Sequence, residues 1–329
     1  MNEYTEDSTR FIDEMDIRKV TALFEYYGVA PAFYSILDLF ALNGEEELLS
    51  AGLKAKYYHD QFLEDFNHIS DFFEKNNVWY VPLKNAVLLD CWSYKQYYIN
   101  DNAFLIATEG MAVLDRLFRI PDDEYPLSEY KTLSEENTER CVTCYTNLNM
   151  KCRFYAALFE DEPEFRTYFE TMLSRLKTDN KFEDYLKTRD YKYLRSLDYE
   201  DVYVYLTMCA YISYRDSKAK LRSLVEIYSM CEPKMNDKRK KIDIDFVRKE
   251  LQKLNLAEFE QTHRSLAIKL LSVKNQEPLT EQETEMLERY FYPKDFNADK
   301  LTSLEHRSDP QTVYGSIYSV DESDHTGSA

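Results

Sequence analysis

Apolar residues recur with a helical period at both ends of this chain. In three early segments they repeat every three or four residues, as in FLEDFNHISDFFE, which is the spacing of an amphipathic α-helix. These segments predict helices over residues 8–27, 31–42 and 45–76. The same period returns after residue 163 and predicts six more helices, over 164–177, 199–214, 219–230, 245–254, 257–271 and 281–292.

Between these regions the pattern alternates between short β-type runs and helical runs. Residues 79–82 and 103–107 are rich in strand formers, and 84–94 and 111–118 have helical spacing. Residues 141–159 then contain two further β-type runs around a turn-prone Asn-Leu-Asn, which predicts a hairpin that extends the same sheet. The sequence therefore predicts an α+β protein that is predominantly α, with a small mixed sheet and flanking helices.

The same patterns suggest how the chain is divided. We expect an N-terminal helical region over 1–77, an α/β core over 78–162 and a C-terminal helical domain over 163–306. Residues 307–329 are rich in Ser, Asp, Gly and Thr without periodicity, so we predict a disordered tail. No glycine lies between Gly110 and Gly315, which excludes a Gly-rich phosphate-binding loop there.

Charge and hydropathy narrow the classes of partner and location. The chain has 41 basic and 60 acidic residues and a net charge of −19, which disfavours general nucleic-acid binding. No apolar run reaches the roughly 18 to 20 residues of a membrane helix, and the start of the sequence lacks the pattern of a signal peptide. We expect a cytoplasmic protein that does not enter membranes.

The six cysteines are expected to be reduced thiols in a cytoplasmic chain. Cys141 and Cys144 form a C-x-x-C with Cys152 nearby, which leaves a zinc site as the less favoured alternative because a fourth ligand is missing. If this segment is a strand, residues three apart also point to opposite faces. His68 and His263 lie at helical positions without a second ligand at metal spacing, so structural roles are favoured.

The stretch VWYVPLKNAVLLDCWSYKQYYINDNAFLI resembles the opening of a large bacterial family of nucleotidyltransferases in the polymerase-β-like superfamily. In that family a β-type run ends in Leu-Lys-Gly, and a helix, an Arg and an Asp-x-Asp strand follow. Lys84 falls on the family lysine, and Asn85 replaces the glycine. Tyr97 falls on the arginine, Asp101 on the first aspartate and Ala103 on the second.

The resemblance continues over residues 19–293, and it is stronger in the apolar scaffold than in the motifs. The family has a carboxylate two residues before a His, and these positions hold Arg153 and Tyr155. A later family motif has His, Lys and His followed by Arg, Leu and Asp. The corresponding residues are Cys209, Ile212, Ser213, Arg222, Leu224 and Glu226, of which Arg222 and Leu224 are kept.

These replacements bear directly on the chemistry that the resemblance implies. Nucleotidyl transfer requires Mg²⁺ ions that clamp a triphosphate, and three carboxylates on adjacent strands hold those ions. The corresponding residues here are Asp101, Ala103 and Arg153, a single acid and one residue of opposite charge. An alternative register through Asn100 and Asn102 offers only neutral amide oxygens. Loss of two ligands is expected to reduce the rate by orders of magnitude.

The sequence therefore favours a nucleotidyltransferase-like pseudoenzyme that acts by binding a protein partner, a second copy of itself or a nucleotide. We expect no cofactor, and Mg²⁺ and a nucleoside triphosphate only if the chain is active. Asp101 is then a catalytic vestige, although it also fits a turn or the start of a strand, and Lys84 also fits a solvated helix start. The candidate nucleotide-binding residues are Lys84, Asn85, Asn100, Asn102, Arg153 and Arg222.

Two alternatives remain open at the level of sequence. The first is an active Mg²⁺-dependent nucleotidyltransferase whose site has been rebuilt from residues such as Asp90, Asp101 and Glu109. The second is a structural or assembly protein on a helical scaffold.

Overall fold

A computed structural model describes residues 22, 26, 27, 46–84, 86–88, 101–117, 141–145, 151–178, 191–231, 242–272 and 277–292. Contacts divide the chain into two units, one formed by 1–54 with 294–329 and the other by 55–293. In the first unit Ala22 and Tyr27 are buried, and the rings of Tyr26 and Tyr27 meet edge to face at 5.1 Å. The second unit holds the sheet and the C-terminal helices.

The described residues form eight α-helices, four strands and one short 3₁₀ helix. The helices are α1 (Glu46–Lys75), α2 (Thr108–Leu117), α3 (Pro163–Leu173), α4 (Tyr199–Arg215), α5 (Arg222–Cys231), α6 (Ile244–Lys253), α7 (Ala257–Leu271) and α8 (Glu281–Phe291). The strands are β1 (Tyr80–Leu83), β2 (Asp101–Ile106), β3 (Cys141–Tyr145) and β4 (Lys151–Tyr155), and the 3₁₀ helix is Ala86–Leu88. About 63% of the described residues are helical, so the predicted α+β class with a predominance of helix is confirmed.

Most predicted elements agree with these bounds to within a few residues. The exception is the helix predicted over 84–94, because Lys84 has a left-handed backbone and only the 3₁₀ helix follows within the described residues. The predicted helices over 8–27 and 31–42 lie outside the described residues apart from Ala22 and Tyr26, both helical, and Tyr27. The predicted tail also lies outside them.

The four strands form one mixed sheet in the order β1-β2-β4-β3. β1 pairs antiparallel with β2, β2 pairs parallel with β4, and β3 pairs antiparallel with β4. The predicted β3–β4 hairpin is therefore present and extends the sheet through β4. Among the described helices none is long and apolar enough to span a membrane.

Helix α1 packs on one face of this sheet through a column of aromatic rings. Phe66 of α1 stacks on Phe104 of β2 at 5.8 Å, and Phe104 stacks on Phe154 of β4 at 5.8 Å. Phe73 meets Phe154 edge to face at 5.8 Å. All four side chains are completely buried, and each contributes about 1.5 to 3 kcal/mol through removal of apolar surface from water.

The β1 edge of the sheet is covered by a segment that the apolar pattern did not predict. Tyr80 donates its backbone N–H to the carbonyl of Tyr193 at 3.1 Å and accepts one from Arg195 at 2.8 Å. The carboxylate of Glu74 accepts hydrogen bonds from three backbone N–H groups of the same segment, those of Lys192, Tyr193 and Leu194. A single side chain of α1 thus fixes the segment that leads into the C-terminal helices.

Candidate functional site

The parallel pairing of β2 and β4 defines the candidate site. Ala103 of β2 lies opposite Arg153 of β4, and Asp101 lies opposite Lys151. Because side chains alternate along a strand, Ala103 and Arg153 are on the same face of neighbouring strands, and the backbone position of Asp101 is two residues before Ala103 on β2. The three positions that the resemblance assigns to metal ligands are therefore brought together on adjacent strands.

The residues at these positions do not fit a pair of Mg²⁺ ions. Ala103 has no ligand atom and is 1% exposed. Arg153 brings a positive charge to the position where a third carboxylate is needed. Among the described residues no group of three or more His, Cys, Asp or Glu side chains is placed to hold a metal ion. We therefore assign no metal-dependent step to this site.

Lys84 lies next to these positions because β1 ends beside β2. Leu83, the last residue of β1, is paired with Ala103, and Lys84 follows it directly. The backbone of Lys84 has φ of 51°, in the left-handed region that side-chain-bearing residues rarely adopt. Such a conformation costs of order 1 to 3 kcal/mol and persists only where the surrounding structure holds it. Lys84 is half-buried.

Helix α4 contributes Cys209 and Tyr205 to the same region. Burial raises the pKa of the Cys209 thiol to about 11, while the positive charge of Lys84, a hydrogen bond with Tyr205 and the more weakly acting Arg153 oppose the rise. The pKa of Tyr205 is also raised by burial, with Tyr155 and Arg153 among the charges that act on it. Lys84 and Arg153 are thus close enough to act on one thiol, and that thiol is protonated at neutral pH.

Helix α5 adds an ion pair at the edge of this set. Nε of Arg222 lies 2.7 Å from Oε1 of Glu226, and the two side chains are 15% and 17% exposed. The charge of Glu226 also acts on the Cys209 thiol. Arg222 and Glu226 stand at the Arg and Asp positions of the later family motif, and Cys209 stands at its first His position. The ion pair therefore reaches this cysteine through the charge of Glu226.

Not every predicted site residue joins this set. Asn102 is on the opposite face of β2, 1% exposed, with Nδ2 donating to the backbone carbonyl of Phe62 at 3.5 Å. Glu109 is exposed in the first turn of α2, beyond the far end of β2 from Asp101. The length of β2, roughly 16 Å at about 3.3 Å per residue, lies between the backbone of Asp101 and the turn that leads into α2. Asn85, Asp90, Tyr97 and Asn100 lie outside the described residues, as does the side chain of Asp101.

The other candidate ligands have structural surroundings. His263 is 1% exposed and stacks on Phe259 at 5.3 Å, and burial lowers its pKa to about 3. His68 lies 3.9 Å from Glu64, one turn away on α1. Four described cysteines, Cys141, Cys152, Cys209 and Cys231, form no disulfide. Cys141 and Cys144 lie on one strand three residues apart, and the side chain of Cys144 lies outside the described residues.

Two of the sequence-predicted residues, Lys84 and Arg153, thus act on one thiol, that of Cys209. A third, Arg222, is paired with Glu226, which also acts on that thiol. Tyr205 was missed as a member of the site, because an aromatic residue within an apolar helix gives no signal that separates a site position from a core position. Tyr155 was named only as the residue at the family's histidine position. Comparison of the chain with models of known protein families, with characterised proteins and with solved structures gave no match.

Proposed function

We propose that this protein is a non-catalytic relative of the nucleotidyltransferases, which acts by binding a partner protein or a nucleotide and does not transfer a nucleotidyl group. The observation that carries the proposal is the pairing of Ala103 with Arg153 on neighbouring strands. A buried methyl group and a guanidinium occupy two of the three positions at which the reaction requires carboxylates.

Two further observations support the proposal. Ala103 is 1% exposed, so its position in the sheet is covered and does not line an open acidic cleft. The only other acid suggested for a rebuilt site within the described residues, Glu109, is beyond the opposite end of β2 from Asp101. Both observations weigh against an active enzyme with a relocated metal site.

The test is turnover of labelled nucleoside triphosphates. The full chain is incubated with each of the four ribonucleoside triphosphates in Mg²⁺ and in Mn²⁺, and pyrophosphate release and label transfer are measured. We expect rates of pyrophosphate release and label transfer equal to those measured in buffer without the protein. Turnover that Asp101→Ala abolishes would overturn the proposal, because it would show that the remaining acid still supports metal-dependent chemistry.

A further inference from the structure

His263 of α7 is a buried imidazole at the meeting point of three helices. It is 1% exposed, stacks on Phe259 of the same helix at 5.3 Å and lies 5.7 Å from the ring of Tyr290 on α8. Its Nε2 lies 3.4 Å from Oγ of Ser223 on α5. Within the described part of the chain its Nδ1 has no hydrogen-bond partner. A neutral ring can direct its single N–H towards Ser223, whereas a protonated ring would bury a second N–H without an acceptor.

The acids on the neighbouring turns do not supply the missing acceptor. Glu260, three residues before His263, accepts a hydrogen bond from Nε of Arg264 at 2.6 Å. Glu226 of α5 is held in its ion pair with Arg222. Within the described residues, the titratable and charged side chains around His263 and its aromatic neighbours are Tyr214 of α4, Arg222 and Glu226 of α5, Glu260 and Arg264 of α7, and Glu285, Arg289 and Tyr290 of α8. Neither Glu226 nor Glu260 bonds to Nδ1, so protonation of His263 gains no ion pair there.

The cost of protonating the buried ring links the position of α8 to pH. Burial lowers the pKa of His263 from 6.5 to about 3. If α8 moves away, the ring meets water and its pKa returns towards 6.5, so the open form takes up a proton that the closed form does not. The equilibrium constant for opening should therefore rise about tenfold for each pH unit between 6.5 and 3.

Helix α8 is attached through a small apolar cluster that is separate from the main core. The buried members of this cluster are Ala219, Leu224, Leu266, Ala267, Met286 and Tyr290. Helix α8 contributes Met286 and Tyr290, and Glu283 adds its ion pair with Lys269 of α7. A helix of 11 residues is marginal on its own, so α8 can open as a unit while the main core stays folded. Because Tyr290 contacts His263, such opening exposes the histidine ring.

We infer that His263 is an acid-sensitive latch, which holds α8 on α7 while its ring is neutral and releases α8 when the ring is protonated. The inference goes beyond the proposed function, because it concerns a helix interface and not the sheet. Between pH 7.5 and 5 the pair of Glu283 with Lys269 stays ionised, since hydrogen bonds lower the pKa of Glu283 to about 2. The release expected in this range therefore does not come from that pair.

Hydrogen exchange of the full chain at pH 7.5 and 5.0 tests the latch, with rates over α8 and α6 corrected for the intrinsic effect of pH. Protection of the α8 amides should be about 30-fold lower at pH 5.0 than at pH 7.5. Helix α6 is the internal reference, because its buried Val247 and Leu251 belong to the main core. Its protection should change by less than about threefold.

Three variants connect the response to the histidine. His263→Phe removes the titrating group and keeps a ring on Phe259, so α8 should have equal protection at the two pH values. His263→Gln should lose the response too, while it keeps a polar group that can bond Ser223. His68→Gln is the matched control and should respond like the wild type, because His68 lies on α1 with a side chain that is 22% exposed. Denaturation midpoints at pH 7.5 check that each variant is folded.

Three results would overturn the latch. Equal protection of α8 at both pH values in the wild type would show that the protein tolerates an imidazolium beside the two aromatic rings. A similar loss of protection in α6 and α8 would show that acid opens the main core and not α8 alone. A pH response that survives in folded His263→Phe or His263→Gln would assign the response to another group. None of these results bears on the proposed function, which nucleotide turnover decides.

Discussion

Gly110 on α2 packs directly against Val78, the residue two before β1. A Cβ atom added at Gly110 would stand 2.6 Å from Cγ1 of Val78, well inside van der Waals contact, and Val78 is 6% exposed. The valine methyl belongs to a short branched side chain that cannot swing away. The close approach of α2 to the sheet therefore depends on the absence of a side chain at Gly110.

Gly110→Ala should destabilise the protein in spite of its better helix propensity. The propensity gain is at most about 1 kcal/mol, whereas overpacking costs about 1 to 3 kcal/mol, so we expect a net loss of up to about 2 kcal/mol. Urea denaturation measures this loss. In the double variant with Val78→Ala the added methyl has room, so the two losses should be less than additive. Strict additivity would contradict the packing explanation.

Glu74→Ala should loosen the segment that covers the β1 edge. The Glu74 carboxylate accepts backbone N–H groups at 2.8, 2.8 and 3.0 Å, and their loss should lower the free energy of unfolding by about 2 to 4 kcal/mol. Glu74→Gln should cost less, because an amide oxygen still accepts at the atom that serves Tyr193 and Leu194. Hydrogen exchange at the amides of 192–194 should accelerate in both variants.

Glu64→Ala is the matched control for the Glu74 variants. Glu64 lies on the same helix, and its side chain is 49% exposed. Its Oε1 makes only a loose pair with Nε2 of His68, at 3.9 Å. Its removal should change stability by less than about 0.5 kcal/mol. An equal loss of unfolding free energy in Glu64→Ala and Glu74→Ala would contradict a specific contribution of the three hydrogen bonds.

The sequence could predict the elements that show a regular apolar pattern, but not the contacts between residues far apart in the chain. Helices α4 to α8 and the β3–β4 hairpin follow from apolar period and turn residues, and the structure has them within a few residues of the predicted bounds. The cover of the β1 edge does not follow, because its contacts join Glu74 to backbone groups about 120 residues away. Backbone acceptors and donors leave no trace in side-chain pattern.

The candidate site also has features that the sequence could predict and features that it could not. Ala103 is paired with Arg153 on neighbouring strands, whereas the role that the family resemblance assigns to these two positions stays a prediction. The left-handed backbone of Lys84 was not predicted, because lysine has no preference for that region and the helical spacing after it favoured a helix. Once the bounds of β2 are known, the alternation of side chains along a strand is enough to place Asn102 on the other face.

Asp65→Asn should increase stability at neutral and higher pH. Asp65 is 2% exposed, and within the described part of the chain its Oδ2 has no hydrogen-bond partner. Burial raises its pKa from 3.8 to about 7, with Gln61 opposing the rise and Glu64 adding to it. The folded protein thus keeps a proton that the unfolded chain releases near pH 4, so stability falls as pH rises from about 4 to 7.

Unfolding free energies of wild type and Asp65→Asn from pH 4.5 to 8.5 measure this effect. The two should be similar at the acid end, and the variant should be more stable at pH 8.5 by up to about 4 kcal/mol, at about 1.4 kcal/mol for each unit of pKa. Asp60→Asn, at an exposed position on the same helix, is the control. A difference that does not change with pH would contradict a protonated Asp65 in the folded state.

Glu283→Gln should weaken the attachment of α8 to α7 and lower the free energy of unfolding at pH 7. Burial disfavours the ionised carboxylate, but hydrogen bonds from Lys269, Ser265 and Thr280 outweigh it and lower the pKa of Glu283 from 4.5 to about 2. Nζ of Lys269 lies 2.8 Å from Oε2 of Glu283, with side chains 9% and 4% exposed, and the same carboxylate completes the capping box of α8.

Because the folded pKa is depressed, this stabilisation is present above about pH 4.5 and is lost as pH falls towards 2. We expect Glu283→Gln to cost about 3 kcal/mol at pH 7, measured by urea denaturation, and the difference from wild type to shrink below pH 4.5. Glu285→Gln is the control on the same helix, since Glu285 is 64% exposed in its pair with Arg289 and should cost less than about 0.5 kcal/mol. If the two glutamine variants were equally stable, the buried pair would not be what attaches α8, and the apolar contacts of Met286 and Tyr290 would have to hold the helix alone.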